Sequence, residues 1–217
     1  MSVTGQAADD RAARLDVRDA ACSRGGRILF SGLSFSLSAG EAALVAGPNG
    51  IGKSSLLRMI CGLLSPFAGE IAAGGGLALA DDRLALDTDR PLGRALAFWA
   101  GIDGRAGAVA DALEALDLSP LFDVPVRMLS TGQRKRAALA RVIASGAPIW
   151  LLDEPGNGLD TASLVLLGGA VERHLWAGGI VVAASHQPLP WVSTTSLTLA
   201  RPDEPEEDDE DVAEDRA

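Results

Sequence analysis

Residues 47–54 read Gly47-Pro48-Asn49-Gly50-Ile51-Gly52-Lys53-Ser54, three glycines and a lysine-serine pair at the spacing G-x-x-x-x-G-K-[ST]. A loop of this kind suits a polyphosphate. Gly47, Gly50 and Gly52 let the backbone turn tightly and aim successive N–H groups inward, and a following helix adds the partial positive charge of its N-terminus. Lys53 is placed to reach the β- and γ-phosphates and the Ser54 hydroxyl to hold Mg²⁺, with Ser55 closing the binding segment. An apolar run at 42–46 precedes the loop and a helix-like stretch starts near Lys53, a context that a chance glycine-rich turn usually lacks.

Two carboxylates follow downstream. The apolar run 148–152 has the length of a buried parallel strand and ends in Asp153-Glu154-Pro155. Asp153 suits Mg²⁺, held mostly through water, and Glu154 is placed to polarise an attacking water as general base. Two acids at a strand end also describe an ordinary solvated loop, and the phosphate loop upstream is what favours the catalytic reading. A third run, Leu129-Ser130-Thr131-Gly132-Gln133-Arg134-Lys135-Arg136, precedes a helical stretch at 137–144. On its own it reads as a helix cap followed by basic residues on a solvated face.

Taken in order, these segments resemble the ATPases of ABC transporters. Leu129 to Gln133 is similar to their LSGGQ signature, with Thr131 in place of the first glycine. Gly156-Asn157-Gly158-Leu159-Asp160 looks like the D-loop and Ser185-His186-Gln187 like the switch histidine. The resemblance implies that His186 contacts the γ-phosphate and orients water. It further implies that Ser130, Thr131, Gly132 and Gln133 act on the nucleotide of a second subunit, with Asp160 in the D-loop between them. Two copies then meet head to tail as a homodimer through bound ATP, which opens on hydrolysis. Arg24-Gly25-Gly26-Arg27, Leu33-Ser34-Phe35, Phe98-Trp99, Leu129 to Arg141, Trp150 to Pro155 and Ser185-His186-Gln187-Pro188-Leu189 are similar to the ATP-binding subunits of cytochrome c maturation systems, historically called haem exporters. That group implies a transmembrane partner subunit, a peripheral position on the cytoplasmic face of the inner membrane, and ATP and Mg²⁺ as ligands. Its cargo is haem or a haem-chaperone complex. The ATPase of another ABC transporter, a soluble ABC ATPase acting on nucleic acid or ribosomes, and a catalytically dead regulatory subunit are the alternatives.

Composition bears on these. The chain of 217 residues is 47% hydrophobic and carries a formal net charge of −10. Ten of its 29 acids and only Arg216 among its bases fall in residues 202–217, so the body is nearly neutral. Such an acidic run cannot bury enough apolar surface to order itself, and 201–217 is expected to be a disordered tail, as is 1–13 at the other end. Neither the tail nor the neutral body suits nucleic acid. No secretory signal and no stretch approaching about 18 apolar residues is present, so any membrane contact is expected through a protein partner. Cys22 and Cys61 lack metal-ligand spacing and fit free thiols in a reduced compartment.

The fold class expected is α/β, a phosphate-loop ABC ATPase domain over 14–200 with a mixed sheet core, an antiparallel β edge and a small helical arm at about 83–128. Residues 15–18 and 28–37 read as edge strands, the second alternating Leu33, Phe35 and Leu37 with serines. A strand pair is expected at 70–73 and 77–80 around three glycines. From 91 to 126 the periodicity is helical, with Leu96, Phe98, Trp99, Val109, Leu113, Leu116 and Leu118 supplying apolar faces. Strands at 149–152 and 180–184 with a helix at 162–176 make a parallel βαβ unit. Two positions depart from the family pattern. Asp82, beside Asp81, stands where the family has a metal-contacting glutamine, and is read either as a metal ligand or as a solvated loop acid. The chain has no tyrosine, and Arg24 is the residue aligned near the adenine.

Overall fold

The computed structural model describes residues 13–201. The first twelve residues and the acidic run 202–217 lie outside the described residues, and so do nearly all of the two segments expected to be disordered. Among the described residues there are eight strands, arranged as two sheets, and five α-helices. Strands β1 (Arg14–Arg24), β2 (Arg27–Ser38) and β4 (Ala68–Gly74) form an antiparallel sheet in the order β2-β1-β4. Strands β3 (Ala42–Ala46), β5 (Leu77–Ala80), β6 (Ile149–Asp153), β7 (Ile180–Ala184) and β8 (Thr195–Thr198) form a sheet in the order β5-β6-β7-β3-β8, with every pairing parallel.

A parallel sheet needs cover on both faces. β6 and β7 are buried at every position, and alternate residues feed two cores. Ile149, Leu151, Ile180 and Val182 pack with α1 (Lys53–Ile60) and the antiparallel sheet, through Leu15, Val17, Phe30 and Leu37. Trp150, Leu152, Val181 and Ala183 pack on the opposite side, with Leu139 and Val142 of α4 (Thr131–Ser145) and Leu167 and Val171 of α5 (Thr161–Trp176). The arm, α2 (Leu92–Ile102) and α3 (Val109–Ala115), closes that side through Leu96, Leu113, Leu116 and Leu118.

The fold class matches the expectation, with the parallel and antiparallel strands separated into two sheets. Four local readings change. β1 is the central strand of its sheet, not an edge, because it is bonded to β2 on one side and β4 on the other. The strands flanking the glycines do not pair with each other: β4 joins β1 while β5 joins β6, with Gly75 at φ 104 turning the chain from one sheet to the other. Phe98 faces outward and is 54% exposed, whereas Leu96, two positions earlier on α2, is fully buried. β8, short and with only Leu197 buried, adds a fifth strand that no strong alternation marked.

β1 bends where Asp19 takes φ 49 and its register with both neighbours shifts. The chain crosses this bulge at Gly69, φ 81, whose missing side chain makes room for the Asp19 carbonyl. Gly69→Ala therefore combines a left-handed residue with a backbone overlap, at about 2–4 kcal/mol. Equilibrium urea unfolding is expected to show that loss with an unchanged m-value.

Candidate functional site

β3, β7 and β6 are neighbours in the parallel sheet, and their carboxyl ends carry the phosphate loop, His186 and Asp153-Glu154 respectively. Ligands of open parallel sheets bind at such ends. The loop needs its glycines for different reasons. Gly47 is at φ 141, with a Cβ there only 3.0 Å from the Leu199 carbonyl; Gly52, at φ 112, would meet the Phe30 ring at 3.0 Å; Gly50, at φ 80, has open space around it and needs glycine for conformation alone. Gly52 caps α1 with no side chain in the way, so the helix starts directly behind the loop.

Lys53 is 7% exposed, and its ammonium donates to the carbonyls of Gly47 (2.8 Å) and Pro48 (3.4 Å). It also lies 4.0 Å from Glu154 Oε1. The other oxygen, Glu154 Oε2, is 2.9 Å from His186 Nδ1. One carboxylate thus links the lysine of the phosphate loop to the histidine after β7. Glu154 holds a left-handed backbone at φ 45, a strain of about 1–3 kcal/mol in a non-glycine residue, while its N–H donates to Ala184 O at 2.8 Å. Leu29, Asn49, Gly50, Lys53, Ser54 and Glu154 are among the residues lining a cavity of about 350 Å³ here. Gly52 and Ser55 line it too, Pro48 is exposed on the loop, and Ile51 is buried beneath it.

Asp153 is 9% exposed, and burial pushes its carboxyl above the ordinary aspartate range even though a hydrogen bond with Ser54 and the charge of Arg58 favour the ionised form. A buried carboxylate beside a hydroxyl is a pair of hard oxygen donors, which fits Mg²⁺. Among the described residues no cluster of three or more His, Cys, Asp or Glu is arranged to hold a metal ion alone. Mg²⁺ rarely uses all-protein cages, and phosphate oxygens commonly complete its shell. Asp82 is 82% exposed and lies 3.5 Å from Arg58, which is closer to Asp81 at 3.2 Å. No hydrogen bond joins Asp82 to Ser54, Asp153 or Glu154 among the described residues.

Ser130 caps α4: its hydroxyl accepts from Gln133 N at 3.2 Å and Gln133 Oε1 accepts from Ser130 N at 2.8 Å, a reciprocal capping box. Thr131 opens the helix on an exposed position, and Gly132 packs so close to Gly158 that a Cβ would stand 3.2 Å from the Gly158 carbonyl. Asp160 caps α5, accepting from Ser163 N at 2.8 Å, and the Ser163 hydroxyl, then this N–H, hold its carboxyl below the usual range. The 130–133 and 156–160 segments are therefore adjacent in one chain, while the hydrogen bonds of 130–133 stay within the cap. Arg24 is exposed at the β1–β2 turn, and Leu29, next to that turn, reaches the phosphate cavity. Sequence reasoning missed Leu29, Arg58 and Lys135, whose Nζ donates to Asp153 O at 3.1 Å.

The sequence profile described as ABC transporter matches residues 30–157. A relative from Zymomonas mobilis is 54% identical over 187 residues, 86% of this chain and 85% of its own length. One from Novosphingobium aromaticivorans is 60% identical over 181 residues, 83% and 93% of the two chains. Both are named cytochrome c biogenesis ATP-binding export protein CcmA. Among solved structures, a nucleotide-free ATP-binding cassette from an ABC transporter superposes with a TM-score of 0.69 at 20% identity, covering 81% of this chain and 82% of the other. A Pyrococcus furiosus chain assigned to the ABC transporter ATP-binding proteins does so at 0.76 and 24%, covering 86% and 97%. These two likenesses speak to the fold.

The raised pKa of Asp153 has a definite sign for stability. The folded state holds this proton more tightly than the unfolded chain, so stability falls as pH rises from the ordinary aspartate value through the raised one, and the penalty persists at neutral pH. Asp153→Asn is expected to raise Tm at pH 7 without ligands, and to lose the MgATP-dependent rise in Tm. Differential scanning calorimetry with and without MgATP reads both.

Proposed function

The chain belongs to the ABC transporter family, in the group of cytochrome c biogenesis ATP-binding export proteins, and from that premise we propose that it is the ATP-hydrolysing subunit energising a membrane complex of c-type cytochrome biogenesis. The observation that carries the catalytic part is the Glu154 carboxylate standing between Lys53 and His186 at the mouth of the phosphate cavity. The identity to relatives carrying that name supports the pathway.

In this reading the triphosphate lies along the N–H groups of residues 47–55. Lys53 exchanges the Gly47 and Pro48 carbonyls for phosphate oxygens, a stronger, charge-assisted set of bonds. Ser54 and Asp153 would hold Mg²⁺, which when bound neutralises charge on the β- and γ-phosphates. Glu154 accepts the proton of the attacking water, and His186, bonded to the same carboxylate, orients that water against the γ-phosphate. Ser130, Thr131, Gly132 and Gln133 serve the site of a second copy, and ATP holds the homodimer together until the γ-phosphate leaves. Asp82 remains a candidate contact to the metal shell, and its pairing with Arg58 gives it a second role in fixing the loop.

No helix among the described residues is long and apolar enough to cross a membrane. We assign the transmembrane subunit to a cleft of about 290 Å³ between residues 84–90 and α2, lined by Leu84, Leu86, Phe98 and Trp99 with Phe98 exposed at its edge. Its place is then peripheral, on the cytoplasmic face of the inner membrane.

Glu154→Gln is expected to lower kcat by about 10²–10⁴ and to accumulate an ATP-bound dimer, measured by steady-state ATPase and light scattering. Lys53→Ala should lose nucleotide binding as well. In a strain lacking the gene, covalent haem staining of c-type cytochromes should be restored by the wild type and not by Glu154→Gln; unchanged cytochromes in the deletion strain would remove the pathway assignment and leave the ATPase.

A further inference from the structure

The basic run after the signature glycine is not simply a solvated face. Each of its residues donates to a backbone carbonyl of a different segment. Arg134 reaches Arg127 O at 2.9 Å in the turn before α4, and Arg136 reaches Leu116 O at 2.8 Å and Asp117 O at 3.2 Å at the end of α3. Lys135 alone of the three reaches the catalytic strand, at Asp153 O.

That carbonyl belongs to the peptide immediately before Glu154, whose N–H donates to Ala184 O at the end of β7. One peptide unit is thus gripped on both sides, by α4 through Lys135 and by β7 two residues before His186. Its orientation sets the strained φ of Glu154 and the direction of the carboxylate. Burial lowers the Lys135 pKa, while Asp153 and Glu154, and further away Asp82 and Asp81, favour its charged form. Lys135 does not line the phosphate cavity. The α4 N-terminus is stiffened by its capping box and backed by Gly158, so a displacement there moves Lys135 with the helix.

We propose that Lys135 is a positioning residue that ties the signature helix of each subunit to that subunit's own hydrolytic carboxylate, so that seating a partner's γ-phosphate on Ser130 and Gly132 aligns Glu154 in the same chain. This rests on the reading of the protein as an ATP-bound homodimer. It makes hydrolysis at one site depend on occupancy of the other. Arg134 and Arg136 carry the arm along with the helix, so the same movement reaches the segment 116–127.

The test compares the full-length parent, Lys135→Met and Lys135→Arg by MgATP titration of the ATPase rate, by fluorescent-nucleotide affinity and by Tm. Lys135→Met is expected to lower kcat about tenfold or more, to bring the Hill coefficient to 1, and to leave nucleotide affinity within about twofold. Lys135→Arg, which keeps a donor of similar reach, should recover most of the rate and the cooperativity. A Lys135→Met protein with parental kcat and Hill coefficient, or one losing affinity and rate in equal measure, overturns the proposal while leaving the ATPase reading intact. A parent that does not hydrolyse MgATP overturns both.

Discussion

The site depends on two carboxylates held at the end of one buried strand. Asp153 is almost out of contact with water, and Glu154 follows it in a backbone conformation that few side chains adopt. Burying charge is costly unless it is paired and hydrogen-bonded. Lys53, Ser54 and Arg58 of α1, Lys135 of α4 and His186 after β7 surround the pair from three different segments and supply those partners. Burial outweighs the Ser54 hydrogen bond and the Arg58 charge, and the Asp153 carboxyl sits above the ordinary aspartate range. A divalent cation held there, as proposed, would favour the ionised form further.

The sheets exist to make this convergence possible. A parallel sheet puts the carboxyl ends of β3, β7 and β6 side by side, and its two cores fix those ends with little freedom to shift. The antiparallel sheet contributes Phe30 and Leu29, which press on Gly52 and shape one wall of the cavity. On the other side α4 runs between arm and sheet, with Thr131 of its N-terminal turn exposed and Lys135 and Arg136 reaching carbonyls of the sheet and the arm. The phosphate-loop carboxylates and the α4 cap are therefore joined through one packed assembly rather than carried on separate modules.

Much of this was legible in the residues. The glycine spacing around Lys53, the acids after an apolar run and the order of the later motifs pointed to one fold, and the strand-loop-helix context followed from periodicity. What stayed hidden involves acceptors with no sequence signature. A lysine bonding a backbone carbonyl, as Lys135 does, looks identical to a lysine in water. Arg58 beside Asp81 and Asp82 depends on the arrangement of α1 against a loop 23 residues away. β1 passed for an edge strand because its bulge at Asp19 interrupts the alternation that marks a central one. Phe98 passed for core because hydrophobicity alone does not say which face of α2 it occupies.

In the proposed dimer the triphosphate is read by two chains at once, the phosphate loop of one and the α4 cap of the other. Disulfide trapping between Asn49→Cys and Thr131→Cys, both at exposed positions, tests it directly, since native Cys22 is buried and Cys61 half-buried. In a Glu154→Gln background an intermolecular disulfide is expected to form with MgATP and not with MgADP. No such crosslink with MgATP, or one that forms equally with MgADP, would contradict it.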